Sequence, residues 1–349
     1  MNFDNGLYAG IGQYNYFLKD EIHTISGDTS EASESFYVPI PDLAIGYKTD
    51  NWLAYCVTGI AFPPNELHYS NGWVGYKQAF NAGAGMEIFN DSTVTHGLNN
   101  SYGGTIGGAY KFGDFTAVAG LLYMWGDIRY SQLYKSSMPG MVPDQYMSMD
   151  REGDGWAGMI GFEYKIQKDL FVGMTYKTEA EIKMDVSGTD NRLPQFIPFP
   201  LIIERDTPAV LSIGGSYLWD YLSIELLYKY VFLSDAKMIT MGDGNNVNNY
   251  DDEWELGILV GHPVAKNILI RGGLAFYDAG TDSSNTFDDY HESNYWKYTG
   301  IVDYEVKKDC ILSMAVNHKE FESIHSNALG SDYDGRNTEI ILSVIYKVF

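Results

Sequence analysis

From residue 169 the chain alternates apolar and charged side chains for more than a dozen positions. Leu170, Val172, Met174, Tyr176, Ala180, Ile182 and Met184 share one parity, while Thr175, Lys177, Glu179, Glu181 and Lys183 share the other. A period of two is that of a β-strand and sends the two sets to opposite faces of a sheet. Strands in soluble sandwiches usually end after about five or six residues. Crossing the hydrocarbon core of a bilayer takes about 9–11. The segment from 221 repeats the pattern, with Leu222, Ile224, Leu226, Tyr228 and Tyr230 against Ser223, Glu225 and Lys229. Phe115, Ala117, Ala119, Leu121, Tyr123 and Trp125 form a third apolar face. An apolar outside and a polar inside invert the plan of a soluble barrel, so the fold class expected is all-β, a transmembrane antiparallel β-barrel.

The spacing of turns gives the strand number. Short hairpins recur at GYKTDNWLAY (46–55), GAYKFGDFTAVAG (108–120), FEYKIQKDLFVG (162–173), GSYLWDYLSIE (215–225), VGHPVAKNILIRG (260–272) and VDYEVKKDCILSM (302–314). Each turn holds Asp or Asn, whose side chains hydrogen-bond to nearby backbone and bend it. Longer polar stretches separate them at 21–34, 62–99, 129–152, 186–206, 234–251, 280–293 and 323–336. Short turns that alternate with long loops mark the periplasmic and external ends of a barrel. Strands are expected at 5–20, 35–48, 51–61, 100–112, 114–128, 153–165, 169–185, 207–218, 221–233, 252–263, 267–279, 294–306, 310–322 and 337–349. That makes about fourteen, in one barrel domain over 1–349, with both termini at the periplasmic end.

Composition narrows the function. The net charge of -23 disfavours nucleic acid as a partner. No run of 18 apolar residues exists, so no transmembrane helix is expected. Tyr 28 and Gly 37 suit a membrane–water interface and close backbone contacts. Cys56 and Cys310 fall on distant strands and should be free thiols. No His-Glu-x-x-His, Gly-x-Ser-x-Gly or phosphate-binding loop occurs, so no enzyme, catalytic residue or cofactor is expected. The acidic stretch GDGNNVNNYDDE (242–253) does not match a calcium loop, and no metal is expected there.

Several segments resemble the long-chain fatty acid and aromatic hydrocarbon transporters of the FadL type. SFYVPIPDLAIGYKTDNWLAYCVTGIAFPP is similar to that family's early hairpin, with prolines opening one strand and closing the next. DTPAVLSIGGSYLWDYLSIELLYKYVFL is similar to its proline, glycine, tyrosine and aspartate-turn hairpin. Hairpins 153–185 and 252–279 have its Gly-x-x-Tyr and Arg-Gly-Gly style. The resemblance runs from about residue 5 to the end. It implies a fourteen-stranded barrel that takes up hydrophobic molecules and releases them sideways near the third strand. The family's N-terminal hatch, with its Asn-Pro-Ala motif, and a secretion signal would both precede strand one. Met1 stands almost at strand one, so both are expected outside this sequence. The remaining partners expected are membrane lipid, lipopolysaccharide or detergent, and the chain is expected to be a monomer in the outer membrane.

Candidate ligand contacts lie in two loops. Loop 186–206 carries Leu193, Phe196, Ile197, Phe199, Leu201 and Ile202, an apolar set costly to leave in water. Loop 62–99 carries Trp73, Tyr76, Phe80, Met86 and Phe89. Either set lines a hydrophobic entry or packs against neighbouring loops. Lys177, Glu179, Glu181, Lys183, Glu225, Lys229 and Arg271 should face the lumen and pair across strands, and an Arg or Lys among them could hold a carboxylate head group. Two other functions remain open at this point: a general diffusion porin, and an adhesion or structural barrel acting through its loops.

Overall fold

The computed structural model describes residues 5–24, 29–37, 42–69, 94–190, 202–204, 206–236, 251–280, 293–326 and 331–348. The early strands are β1 (Gly6–Thr24), β2 (Thr29–Tyr37), β3 (Asp42–Lys48), β4 (Trp52–Tyr69), β5 (Val94–Phe112) and β6 (Phe115–Tyr134). The middle strands are β7 (Gln145–Gln167), β8 (Leu170–Lys177), β9 (Lys183–Asp190), β10 (Ile202–Glu204), β11 (Ala209–Leu218) and β12 (Ser223–Phe232). The last are β13 (Glu253–Ala265), β14 (Ile268–Asp278), β15 (Tyr295–Lys307), β16 (Cys310–Phe321), β17 (Ile324–Ser326) and β18 (Ser331–Lys347). Four crossings of the wall are interrupted, as β2 with β3, β8 with β9, β10 with β11 and β16 with β17. The sheet therefore has fourteen crossings. All pairings are antiparallel, and β1 pairs β18 from Tyr8↔Lys347 to Thr24↔Ser331, which closes the barrel.

The short turns are built as the sequence implies. Thr49 accepts the Trp52 amide through its hydroxyl at 3.1 Å and closes the turn before β4. Gly113 and Asp309 take the left-handed conformation, at φ 65 in each case, in the turns after β5 and β15. Glycine adopts it freely, and aspartate tolerates it better than most residues.

Exposure alternates along each wall strand. On β15, Trp296, Tyr298, Val302, Tyr304 and Val306 are exposed, while Tyr295 and Asp303, of the opposite parity, are buried. Register carries this phase around the sheet, so Ile160, Leu121 and Ile106 belong to the outer face. They are 64%, 61% and 70% exposed, an arrangement only an apolar surrounding favours. Two aromatic belts flank this band. Near the short turns, Tyr47 meets Trp52, Phe112 meets Phe115 and Trp219 stacks on Tyr221. Toward the long loops, Tyr123 lies 4.8 Å from Trp156, and Phe276 lies 5.0 Å from Trp296. Rings with one apolar and one polar aspect belong at the two interfaces of a bilayer.

The structure corrects two expectations. Stretch 129–152 is not mainly a loop: β6 runs on to Tyr134 and β7 begins at Gln145. Likewise β4 continues to Tyr69 and β5 begins at Val94. Above the belts Asp127, Arg129, Asp150 and Glu152 hide the strand signal, because the apolar parity ends where water begins although the ladder continues. The second correction concerns 169–185, which is two strands. Met159↔Lys177 and Asp154↔Lys183 pair across five steps on β7 but six on the facing chain. One extra residue is a bulge, and it reverses the facing of every later side chain. Ala180, Ile182 and Met184, expected on the lipid face, instead pack in one buried cluster with Met124 and Ala157.

Candidate functional site

The inner face of the barrel is chemically divided. On β13 to β18 it is charged and cross-linked. Arg271 bonds Asp303 at 2.7 Å, and the Ser313 hydroxyl donates to the other oxygen of the same carboxylate at 2.6 Å. Lys297 pairs with Glu255, and Lys319 lies 3.3 Å from Glu339. Asn317 joins them, accepting from Thr299 at 2.9 Å and donating to Glu339 at 3.1 Å. Tyr295 stacks on Tyr277 at 4.6 Å with the Lys319 ammonium 5.2 Å from its ring. Glu255 and Asp303 are buried, so pairing offsets the cost of removing their charge from water.

The opposite wall, on β4 to β8, is small and apolar. Register places Tyr55, Gly107, Gly120 and Met159 in one row, with Val57, Thr105, Leu122 and Ala157 in another. A Cβ on Gly107 would lie 2.5 Å from the Tyr55 hydroxyl oxygen, so the Tyr55 side chain lies across the glycine. Charges on this wall lie toward the short turns, at Lys111, Glu163 and Lys165, with Lys177 higher on β8 and buried Arg151 toward the long loops on β7. Such a wall gives an apolar molecule contact area, and the charged wall opposite sets its polar limit.

The expected site residues are distributed as follows. Register gives Lys177, Glu225, Lys229 and Arg271 inward phase, on β8, β12 and β14. Glu181 follows the reversed phase of Lys183 and is exposed, which corrects its lumenal placement, and half-buried Glu179 sits within the bulge. Ile202 lies on β10 opposite Asp185. Trp73, Tyr76, Phe80, Met86, Phe89, Leu193, Phe196, Ile197, Phe199 and Leu201 lie outside the described residues. Cys56 and Cys310 are free thiols. Sequence reasoning did not reach Glu255, Lys297, Asp303, Lys319 and Glu339, although the polar positions of Tyr295–Lys307 recur every second residue. The apolar inner wall gave no signal, because both faces of β5 and β6 are apolar or glycine there. Among the described residues no group of three or more His, Cys, Asp or Glu could hold a metal.

The sequence matches no protein-family profile and no curated protein. The fold does match solved structures. The Pseudomonas putida toluene transporter TodX is 14% identical at TM-score 0.70, over 98% of this chain and 90% of that one. A Pseudomonas aeruginosa FadL homologue is 14% identical at TM-score 0.70, over 99% and 91%. The Ralstonia pickettii toluene transporter TbuX is 14% identical at TM-score 0.66, over 99% and 90%. This chain therefore has the transmembrane barrel fold of FadL-type and toluene transporters.

Proposed function

We propose that this chain is a bacterial outer-membrane transporter of apolar molecules such as fatty acids or aromatic hydrocarbons, acting as a single barrel unit. The observation that carries the reading is the apolar inner wall on β4 to β8. A channel for sugars or ions gains nothing from Val57, Leu122 and Met159 on its inner face, whereas an apolar solute loses contact with water there. The fold likeness to toluene transporters supports the same class of cargo. The similar folds are those of transporters.

The exit we infer is lateral, through the β4–β5 wall. That ladder slips twice, between Ile60 and Phe62 and between Phe62 and Asn65, around Pro63 and Pro64. Proline has no amide proton to give, so the wall loses rungs there. Proteoliposome uptake tests the reading. Leu122→Glu and Met159→Glu should slow uptake of radiolabelled toluene and oleate at least tenfold, and Thr299→Ala on the charged wall should not. Equal loss at all three positions would sink the reading of an apolar path.

A further inference from the structure

The wall has a second weak seam, between β7 and the β8–β9 crossing. The Thr178 amide donates to the Gly158 carbonyl at 2.8 Å, and pairing resumes only at Asp154↔Lys183. Between them Gly155, Trp156 and Ala157 make no rung to the facing chain among the described residues. Inside a bilayer an open ladder is tolerated only where protein or a cavity covers it. Here apolar side chains form the cover: Ala180, Ile182 and Met184 pack on Met124 and Ala157. On its other side the Thr178–Ile182 segment stays in step with its neighbour, through Lys177↔Val210, Ala180↔Thr207 and Lys183↔Glu204. Asp206 accepts the Ile182 amide at 3.1 Å and ties the two together. The segment is thus tied to β10–β11 along its length but to β7 only at its start, where the Thr178 hydroxyl also accepts the Gly158 amide at 2.9 Å. Outside the seam stands Trp156, 62% exposed and in contact with Tyr123 in the outer belt.

We propose that this seam is a side entrance, by which an apolar molecule dissolved in the outer leaflet passes between Trp156 and the Thr178–Ile182 segment into the lumen. It rests on the reading of the lumen as an apolar path. The energetic reason is substitution in kind. A hydrocarbon chain or ring that parts Ala157 from Ala180 and Ile182 replaces their apolar contacts with its own, while the Thr178–Gly158 pair below stays closed. A charged or hydrated solute offers no such exchange. The charged wall on β13 to β18 does not open in this way, because its side chains are ion-paired from strand to strand.

The experiment locks the seam. In the full chain carrying Cys56→Ser and Cys310→Ser, Ala157→Cys and Ala180→Cys are joined by oxidation, and the bond is confirmed by mass. Proteoliposomes then receive a pyrene-labelled fatty acid in the outer leaflet. Uptake should fall at least tenfold on oxidation and recover with dithiothreitol; equal rates with the bond formed would overturn the proposal. Photolabelling of the unlocked protein with a diazirine fatty acid separates this from failure of the transport reading. Labels on Ile182 or Met184 support the entrance even if net uptake is absent, and labels elsewhere only would overturn it.

Discussion

Replacing Ile160 with arginine should destabilise the protein by about 2–4 kcal/mol in a bilayer. Ile160 is 64% exposed on the outer face of β7. Trp156 of the outer belt and Tyr164 toward the short turns each stand four residues away along the same strand. Four residues span about 13 Å along a strand, and about 10 Å along the membrane normal at a tilt of 35–45°. Ile160 therefore sits near the middle of an apolar band about 25 Å tall, where an arginine meets hydrocarbon on every side. A loss of about 3 kcal/mol is roughly a 140-fold change in the folding equilibrium. If this face met water, the same substitution at so exposed a site would change stability by no more than about 0.5 kcal/mol. Glu152→Arg, above the outer belt on the same strand, should stay within about 0.5 kcal/mol. The assay is reversible urea unfolding in phospholipid vesicles, followed by tryptophan fluorescence. Equal effects at Ile160 and at Glu152 would refute the placement of the membrane.

Three further outcomes follow from the described contacts. Asp303→Ala leaves the half-buried Arg271 without its carboxylate and should cost about 2 kcal/mol in the same unfolding assay, with Ser313→Ala costing less. Gly280→Ala should cost more than about 1 kcal/mol, because φ is +60 there and an added Cβ would lie 2.4 Å from the Asp251 carbonyl oxygen. The Asp144 carboxyl is held below its ordinary value, first by the Ser136 amide at 2.9 Å and also by Lys135, against a smaller opposing effect of desolvation. A lowered folded value stabilises the Ser136–Asp144 turn above the ordinary aspartate range and ceases to do so as pH falls through the folded value. Hydrogen exchange at the Ser136 amide should therefore be slow at pH 7 and lose its protection as the pH falls below the ordinary aspartate range, and protection that survives full protonation of the carboxylates would contradict this tether.

Much of the barrel was legible because the lipid face speaks in one voice. Leu170 to Tyr176 and Phe115 to Trp125 alternate as the wall requires, and the Asp or Asn turns fall where the strands reverse. Legibility failed for two physical reasons. A bulge adds one residue without any mark in the side chains, so Ala180, Ile182 and Met184 read as lipid-facing when they face inward. Above the membrane both faces of β6 and β7 meet water or other protein, so Asp127 and Glu152 read as loop although the ladder continues. The inner wall was half legible. Charged positions such as Arg271 and Lys229 announce a lumen, but Gly107, Gly120 and Leu122 stand among outward neighbours as apolar as themselves.

What the lumen admits is tested most directly by a paired flux measurement. Purified full chain in proteoliposomes is presented with arabinose and sucrose in a swelling assay, and with radiolabelled toluene and oleate in an uptake assay. The division of the inner wall predicts toluene and oleate uptake well above that of protein-free vesicles, with sugar swelling no faster than theirs. Rapid swelling in sugars, without enhanced uptake of either apolar probe, would contradict it and make the barrel a diffusion pore for polar solutes.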